Sequence, residues 1–401
     1  MALIVQKFGG SSVADTQRLE NVADIITDTY KAGNQVVVSA QGDTTDEFIE
    51  KAGEINPNPS RREMDVLMSA GEQISMALLA MAVEKRDIPV VSLTGWQVPV
   101  VTSSSYRMAK IKRVETERLQ LELENNKIVI VAGFQGINKY DDITTIGRGG
   151  SDTTAVAIAA AMHADLCQIY TDVDGVYSAD PRIVPTAKKL DEITYDEMLE
   201  LASMGAQVLM NRSVEMAKKY RVNLEVVSSF HRVPGTIIKE DTKMEKLLIT
   251  GVARDKDVAR IALTGIVDRP GQAYKIFSRL AQKKINVDLI IQSIGHEDVK
   301  DISFTVTKEN LQPAIQTLEE NKEYIGFTDI KTDENIVKVS VVGAGVASNA
   351  GVASKVFEAL YDANINIHMI STSEIKISVL LDAVDGDRAM RVIHDKFDFT
   401  M

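Results

Sequence analysis

Cysteine and histidine are both scarce in this chain of 401 residues. Cys167 is the only cysteine, so no intrachain disulfide can form, and a reducing compartment is the default expectation. The histidines lie scattered at positions 163, 231, 296, 368 and 394, and none has the spacing of zinc ligands. The sequence therefore predicts neither a disulfide framework nor a metal site built from side chains.

An excess of positive charge and long hydrophobic runs are also missing. The formal net charge is −12, which argues against nucleic acid or an anionic membrane as the main partner. The longest apolar stretch, around residues 74–83, is about half the length that crosses a bilayer. The N-terminus lacks a basic segment followed by an apolar one, as a secretory signal would have. We therefore expect a soluble, cytoplasmic protein.

What the sequence contains is an alternation of short β-branched runs with helical patterns over residues 1–230. The β-branched runs lie at 3–8, 35–40, 89–94, 127–134 and 166–173, and the helical patterns at 15–31, 63–85, 152–164 and 194–204. This alternation predicts an α/β fold with a mostly parallel sheet sandwiched by helices. In such sheets ligands bind at the carboxyl ends of the strands, where the glycine-rich segments 9–10, 41–46, 133–136 and 147–152 fall.

The C-terminal part contains an internal repeat. Residues 268–293 align without gaps on residues 348–373, at an offset of 80 that matches Gly271 with Gly351. Each copy has the pattern of a ferredoxin-like βαββαβ module.

The second copy lacks room for its final strand, while a strand-like run at residues 246–253 lies unpaired before the first copy. We therefore predict that the early strand completes the second module and that the first module is inserted within it. The predicted domains are 1–242, one module at 260–332, and a second module made of 246–259 and 333–401.

The segment KFGGSSV at residues 7–13 follows the first predicted strand. It is neither a Walker A loop nor a dinucleotide fingerprint. Two glycines nevertheless let backbone N–H groups approach an anion, and Lys7 could place a positive charge over phosphates. An ordinary strand-to-helix turn with a surface lysine fits the same residues.

The segment GRGGSDTTAVA, from residue 147, is a second candidate anion site. Gly149 and Gly150 lead into a helix that we expect Ser151 or Asp152 to cap. The helix N-terminus together with Arg148 suits a carboxylate or a phosphate. An ordinary N-cap is the structural alternative.

Three more polar segments follow strands or begin helices. YTDVDGVYSADPR at 170–182 has the composition of a nucleotide-binding loop but fits a polar turn as well. Its D-x-D-G spacing lacks the glutamate of a calcium-binding EF-hand. SAQGDTTD at 39–46 and SAGEQIS at 69–75 add hydroxyls and Glu72, which suit a small polar substrate or loop and cap chemistry.

Together these segments resemble the aspartate kinases of the amino acid kinase family, over essentially the whole chain. The resemblance rests on the order of KFGGSSV, GFQGINK, TTIGRGGSDTTAVA, YTDVDGVYSADPRIV, YDEMLELASMGAQVL, RSVEMA and ISTSEIKIS. The repeat resembles paired ACT modules, which sense small molecules. The similarity is to the monofunctional form, because no dehydrogenase domain follows residue 401.

The resemblance implies transfer of the γ-phosphoryl group of ATP, with Mg²⁺, to the side-chain carboxylate of L-aspartate. The product would be 4-phospho-L-aspartate, on the way to lysine, threonine and methionine. Residues implied in ATP binding are Lys7, Phe8, Gly9, Gly10, Ser11, Thr171, Asp172, Tyr177 and Arg182. Residues implied in aspartate binding are Ser39, Thr45, Glu72, Arg148, Gly150 and Ser151. Lys7, Asp152 and Arg148 would act in catalysis.

The family also implies feedback inhibition through the ACT modules by threonine, lysine or both. Candidate effector residues are Asp268, Gln292, Asn366 and Ile367. The second module departs from the family pattern at Ala350 and Ala353, and Gln41 replaces a common methionine. Met244 is a possible internal start for a separate regulatory subunit, which would give an α2β2 assembly in place of a homo-oligomer.

Two alternatives compete with this interpretation. Another amino acid kinase, acting on acetylglutamate, glutamate or UMP, would share the sheet and the glycine loops but usually lacks the ACT pair. An amino-acid sensor with an inert kinase-like part is the second, although Lys7, Arg148 and Asp152 are all present.

Overall fold

The computed structural model of the chain describes residues 1–40, 45–147, 149–203, 208–241, 248–293, 295 and 299–399. The chain forms two compact units. Among the described residues, the first contains 1–40, 45–147, 149–177, 189–203 and 208–241, and the second contains 178–188, 248–293, 295 and 299–399.

The first unit alternates strands and helices along most of its length. In chain order its elements are β1 Leu3–Phe8, α1 Thr16–Lys31, β2 Gln35–Ala40, α2 Thr45–Ile55, α3 Arg61–Glu84, β3 Val90–Leu93, β4 Val100–Thr102, β5 Ile111–Val114, α4 Glu117–Glu124, β6 Ile128–Ala132, β7 Gln135–Ile137, β8 Ile143–Thr145, α5 Gly150–Ala161, β9 Leu166–Thr171, β10 Glu192–Thr194, α6 Tyr195–Ser203, α7 Asn211–Tyr220, β11 Leu224–Ser228 and β12 Thr236–Lys239.

An eight-stranded sheet in the order β10-β12-β11-β9-β1-β2-β6-β3 organises this unit. All neighbouring strands are parallel except the β11–β12 pair, which is antiparallel. Strand β6, with the sequence IVIVA, is a fully buried apolar run, as expected where both faces of a sheet are covered. Helices α1 and α3 contribute Ile26 and Leu79 to the buried cluster that includes Phe8 of β1. The mostly parallel sheet is the architecture that the alternation predicts.

A second, four-stranded sheet in the order β5-β4-β7-β8 belongs to the same unit. Its strands have only three or four residues each. The sequence pattern does not predict this sheet, because strands this short contain too few alternations of polar and apolar residues.

Helix α3 contains the apolar stretch 74–83. The whole helix has 24 residues and is long and apolar enough, by length and composition alone, to span a bilayer. It also contains buried Asp65 and Glu72, and its Met64, Met76 and Leu79 are buried in the unit. These features are those of a core helix in a folded domain.

The second unit contains the two repeats. Its elements are β13 Gly251–Asp255, β14 Ala259–Val267, α8 Gln272–Gln282, β15 Ile290–Gln292, β16 Val299–Val306, α9 Lys308–Glu320, α10 Lys322–Ile325, β17 Asp329–Asp333, β18 Ile336–Val342, α11 Gly345–Ser348, α12 Gly351–Asp362, β19 Met369–Thr372, β20 Lys376–Asp382 and α13 Gly386–His394.

Each repeat builds an antiparallel four-stranded sheet. The first sheet has the order β15-β16-β14-β17 and the second the order β13-β18-β20-β19. Strand β13 precedes the first repeat in the chain but pairs with β18 of the second, with Gly251 opposite Val342.

A short segment, Ser178–Lys188, interrupts the first unit and belongs to the second. Ala179 and Val184 enter the apolar core built by the second repeat, and the Val252 N–H donates to the Ser178 carbonyl at 2.7 Å. The Ser178 hydroxyl lies 2.9 Å from Nε2 of buried His394. The first domain predicted from the sequence, residues 1–242, includes this segment.

Candidate active site

Strand β1 places Lys7 in the middle of the large sheet. Lys7 is in register with Ser39 of β2 and Ile169 of β9, and it is 8% exposed. The next residue, Phe8, is fully buried and stacks on Tyr170 with 4.5 Å between ring centroids. This packing fixes the end of β1 and so the direction of the chain at Lys7.

The glycine pair follows directly. Gly10–Ser12 form a single 3-10 turn, and the Gly9 N–H points to the Tyr170 carbonyl at 3.4 Å. A Cβ atom at Gly9 would lie 3.5 Å from Nζ of Lys7. The Ser12 and Ser229 hydroxyls are 2.8 Å apart, which anchors the turn to the chain after β11. Ser11 is exposed at its tip.

Helix α5 begins differently from the prediction. Its N-cap is Gly149, in the left-handed conformation with φ of 66°, and no described side chain caps it. Ser151 and Asp152 lie inside the first turn, so the expectation that one of them caps the helix is wrong. A glycine can adopt positive φ at little cost and so make the turn itself. The first turn thus presents N–H groups that have no partner within the helix, together with the positive end of the helix dipole.

Lys7 and Asp152 form the central charged pair of the site. Nζ of Lys7 lies 2.6 Å from Oδ1 of Asp152, and each side chain is 10% exposed. The pair joins the candidate anion-binding segment KFGGSSV, which begins at Lys7 of β1, to the N-terminus of α5. The structure thus brings together two segments that are about 145 residues apart in the chain.

Glu72 of α3 adds a second buried carboxyl to the same region. It is 2% exposed, and its Oε2 atom has no hydrogen-bond partner among the described residues. Burial raises the pKa of the Glu72 carboxyl well above its ordinary value, and the charge of Lys7 and the Ser151 hydroxyl partly oppose that rise. A buried carboxyl oxygen without a hydrogen-bond partner is costly, so Oε2 of Glu72 is suited to receive a cationic group of a ligand.

The other proposed ATP-binding residues are less closely grouped. The Thr171 hydroxyl donates to Asp172 at 3.1 Å at the end of β9, and Tyr177 forms an isolated β-bridge with Lys189. Arg182 belongs to the second unit and pairs with Asp180 at 2.8 Å. Arg148 and the side chains of Ser39 and Thr45 lie outside the described residues, as do Gln41 and Met244.

The candidate effector residues lie at comparable places in the two repeats. Asp268 follows β14 and pairs with Lys300 at 2.6 Å, and Gln292 ends β15 with an exposed side chain. Asn366 is exposed and Ile367 half-buried before β19. In the first repeat, α8 begins at uncapped Gly271, with φ of 94°. In the second, the Gly351 N–H at the start of α12 donates to Asn349 at 3.0 Å.

Asp65 and Arg212 are not among the residues predicted from the sequence. Asp65 is fully buried on α3, seven residues before Glu72 and thus on the same face of the helix. Arg212 lies in the first turn of α7 and donates to the carbonyls of Ala109 and Ile146, each at 2.8 Å. The sequence signal for Asp65 is a carboxylate within an otherwise apolar helical stretch. Its hydrogen-bond partners come from distant segments that only the fold brings together.

Comparison with known proteins assigns both units. Residues 2–228 match the amino acid kinase family, and residues 261–321 and 339–397 match the ACT domain. The chain is 50% identical to an aspartokinase of Mycolicibacterium smegmatis, covering 99% of this chain and 96% of the relative.

Solved structures agree with this assignment. E. coli aspartokinase III in complex with aspartate and ADP, described as the R-state, superposes with a TM-score of 0.81 at 25% identity, covering 98% of this chain and 99% of that one. The same enzyme with lysine and aspartate, in the T-state, gives 0.76 at 26% identity, covering 99% and 100%.

These matches span nearly the whole of both chains, and they confirm the predicted fold class of an amino acid kinase domain followed by ACT modules. The chain is an enzyme that belongs to the aspartate kinases, the ACT-bearing members of the amino acid kinase family.

Proposed function

We propose that the chain transfers the γ-phosphoryl group of ATP to the side-chain carboxylate of L-aspartate, giving 4-phospho-L-aspartate. The observation that carries the proposal is the buried pair of Lys7 and Asp152, 2.6 Å apart between the glycine turn and the N-terminus of α5. Aspartate and ADP are the ligands of the E. coli relative. The product would enter the synthesis of lysine, threonine and methionine.

In this reaction an oxygen of the β-carboxylate attacks the γ-phosphorus and ADP leaves. The acceptor is already ionised, so no general base is needed, and positioning and neutralisation of charge dominate. Lys7 would neutralise the transferring group, and the Gly10 amide would face the phosphates of ATP. The N-terminus of α5 would face the γ-phosphoryl group as it is transferred. Asp152 would hold the Lys7 ammonium in place between turnovers.

Aspartate would be held by its two other charged groups. Glu72 would accept the α-ammonium group, which would give its Oε2 atom the hydrogen-bond partner that it lacks among the described residues. Ser151 and Gly150 at the start of α5, together with Ser39, Thr45 and Arg148, are the proposed remaining contacts, with Arg148 on the α-carboxylate.

Mg²⁺ is proposed to accompany ATP. In the described parts of the chain, no three His, Cys, Asp or Glu side chains are grouped in a way that could hold a metal ion. Phosphate oxygens would therefore supply most of the ligands of the ion. Asp152, the carboxylate beside Lys7, is the side chain that we would place near it. The ion would supply neutralisation of phosphate charge.

The activity is tested by measuring ADP release with aspartate, acetylglutamate, glutamate and UMP as acceptors. Turnover with aspartate well above that with the other three supports the proposal. A higher turnover with another acceptor would reassign the substrate, and no turnover with any of them in a folded preparation would favour an amino-acid sensor.

Feedback inhibition by threonine, lysine or both is proposed for the ACT modules. An E. coli relative contains lysine in its T-state, and Asp268, Gln292, Asn366 and Ile367 are the proposed contacts. Asp268→Ala should desensitise the enzyme to these amino acids, whereas Asp329→Ala, at an exposed site on β17 of the same module, should not. Equal inhibition of both variants would remove Asp268 from the effector site.

We further propose a cytoplasmic homo-oligomer, or an α2β2 assembly with a regulatory subunit started at Met244. A denaturing gel of the native enzyme separates the two, because a single band of full length contradicts the α2β2 form.

A further inference from the structure

Asp65 holds together two segments that are distant in sequence. Its fully buried carboxylate accepts the Arg107 N–H at 3.1 Å on Oδ1 and 2.9 Å on Oδ2. It also accepts the Thr145 N–H at 2.9 Å and the Thr145 hydroxyl at 2.7 Å. All of these donors are uncharged. Because a buried carboxylate is costly unless it is fully hydrogen-bonded, this arrangement strongly fixes both segments against α3.

Arg212 binds the same two segments as a hydrogen-bond donor, whereas Asp65 binds them as an acceptor. Its guanidinium group donates to the carbonyls of Ile146 and Ala109, each at 2.8 Å. Between the two side chains, the Ala109 N–H donates to the Thr145 carbonyl at 3.0 Å. Asp65 thus takes backbone N–H groups, and Arg212 takes backbone carbonyls, of one layer formed by residues 107–109 and 145–146.

This layer leads directly into the start of α5. Residue 147 follows it, and at Gly149 a Cβ atom would lie 1.9 Å from Cγ of Met210, just before α7. Helix α3 carries Asp65 and, two turns later on the same face, Glu72. Gly147 and the first turn of α5 are therefore fixed relative to the helix that carries Glu72.

We propose that Asp65 and Arg212 are positioning residues for aspartate: they hold residues 145–147 and the first turn of α5 in register with Glu72. This inference rests on the proposed function, because it assigns both residues to the aspartate site through the contacts above. Gly150 and Ser151 of that first turn are proposed contacts of the acceptor, whereas ATP is proposed to bind at the glycine turn after β1. Asp65 and Arg212 should therefore act mainly on the affinity for the acceptor. An error of position of about 1 Å can cost two orders of magnitude in such sites.

The test compares Michaelis constants in the full-length enzyme. Asp65→Asn and Arg212→Lys should each raise KM for aspartate by about tenfold or more, while KM for ATP stays within about twofold. A residue that only stabilises the fold lowers the amount of active enzyme, and so the apparent kcat, without changing either KM.

Glu122→Gln is the matched control. Glu122 is a buried carboxyl of the same unit, on α4, and it pairs with Arg118 and Lys127, each at 2.8 Å. Its loss should lower the melting temperature while leaving both KM values unchanged. Should Asp65→Asn fail to fold, Thr145→Val removes only the hydroxyl bond and should still raise KM for aspartate.

Unchanged KM for aspartate in folded Asp65→Asn and Arg212→Lys would overturn the inference, as would an equal rise in KM for both substrates. The wild-type enzyme in the same assay tests the proposed function separately. A wild type without turnover on aspartate contradicts that function, whereas an active wild type with insensitive variants contradicts only the positioning role.

Discussion

The Lys7 ammonium lies 2.6 Å from the Asp152 carboxylate, with both side chains 10% exposed. Lys7 lies near the end of a central strand and Asp152 in the first turn of a helix. Neither position requires a buried charged side chain for folding. A buried ion pair is weak support for stability, because desolvation offsets much of the attraction. Its place between a glycine turn and a helix N-terminus is where a phosphoryl group would need neutralisation.

Replacing this lysine should therefore affect turnover more than folding. Lys7→Ala should reduce kcat by about 10²–10³-fold with an unchanged circular dichroism spectrum. Lys127→Ala is the control, since Lys127 pairs with buried Glu122 at 2.8 Å in the same unit. Near-normal turnover of Lys7→Ala, or an equal loss in both variants, would remove Lys7 from the chemistry.

The affinity for aspartate should depend on pH through Glu72. Burial raises the pKa of this carboxyl well above its ordinary value, so a proton must leave before it can accept an ammonium group. KM for aspartate should fall as the pH rises through that raised pKa, and binding should release a proton. Kinetics across pH on the wild type and Glu72→Gln check this, because the variant should lose the dependence. The same pH profile in both would contradict it.

The start of α5 should not tolerate a side chain at Gly149. A Cβ atom there would lie 1.9 Å from Cγ and 2.7 Å from Cβ of Met210, at a φ of +66°. Gly33 has a φ of +88°, and a Cβ atom at that position would have nothing within 4 Å. Gly33→Ala therefore measures the backbone strain alone, about 1–2 kcal/mol.

Urea unfolding should show a larger loss of stability for Gly149→Ala than for Gly33→Ala, with partial recovery in Gly149→Ala/Met210→Ala. Equal losses in the two single variants would show that the contact with Met210 is unimportant.

The second unit should lose stability in mild acid through His394. Burial lowers the pKa of this histidine below its ordinary value of 6.5. As the pH falls, the unfolded chain binds a proton first, so the free energy of unfolding decreases below about pH 6.5 and through the folded pKa.

Hydrogen exchange of residues 378–394, measured across this pH range, should reveal the effect. It should disappear in His394→Gln and persist in His163→Gln, which changes a more accessible histidine of the first unit. An identical pH dependence in wild type and His394→Gln would contradict the assignment.

Much of the fold could be predicted from the sequence because periodicity reports burial. The strand runs at 3–8 and 35–40 coincide with β1 and β2, and the helical pattern at 63–85 with α3. The repeat offset of 80 aligns α8 with α12. These elements bury whole faces, so the apolar pattern is strong.

What the sequence did not reveal depends on contacts between distant residues and on local backbone geometry. The N-cap of α5 is Gly149, which makes the turn by adopting a positive φ. Ser151 and Asp152 are better capping residue types, so the sequence favours them over the glycine. The role of Asp65 depends on Thr145 and Arg107, which no spacing rule joins to it. The Ser178–Lys188 segment has apolar residues whose partners in the second repeat lie far along the chain.

The most direct measurement is the trapping of the acyl phosphate by hydroxylamine, with ATP and L-aspartate. Transfer to the side-chain carboxylate predicts aspartyl hydroxamate in the same amount as ADP for the wild type, and neither product above background for Lys7→Ala. ADP without hydroxamate, or hydroxamate formed equally well by Lys7→Ala, would contradict the proposed transfer at this site.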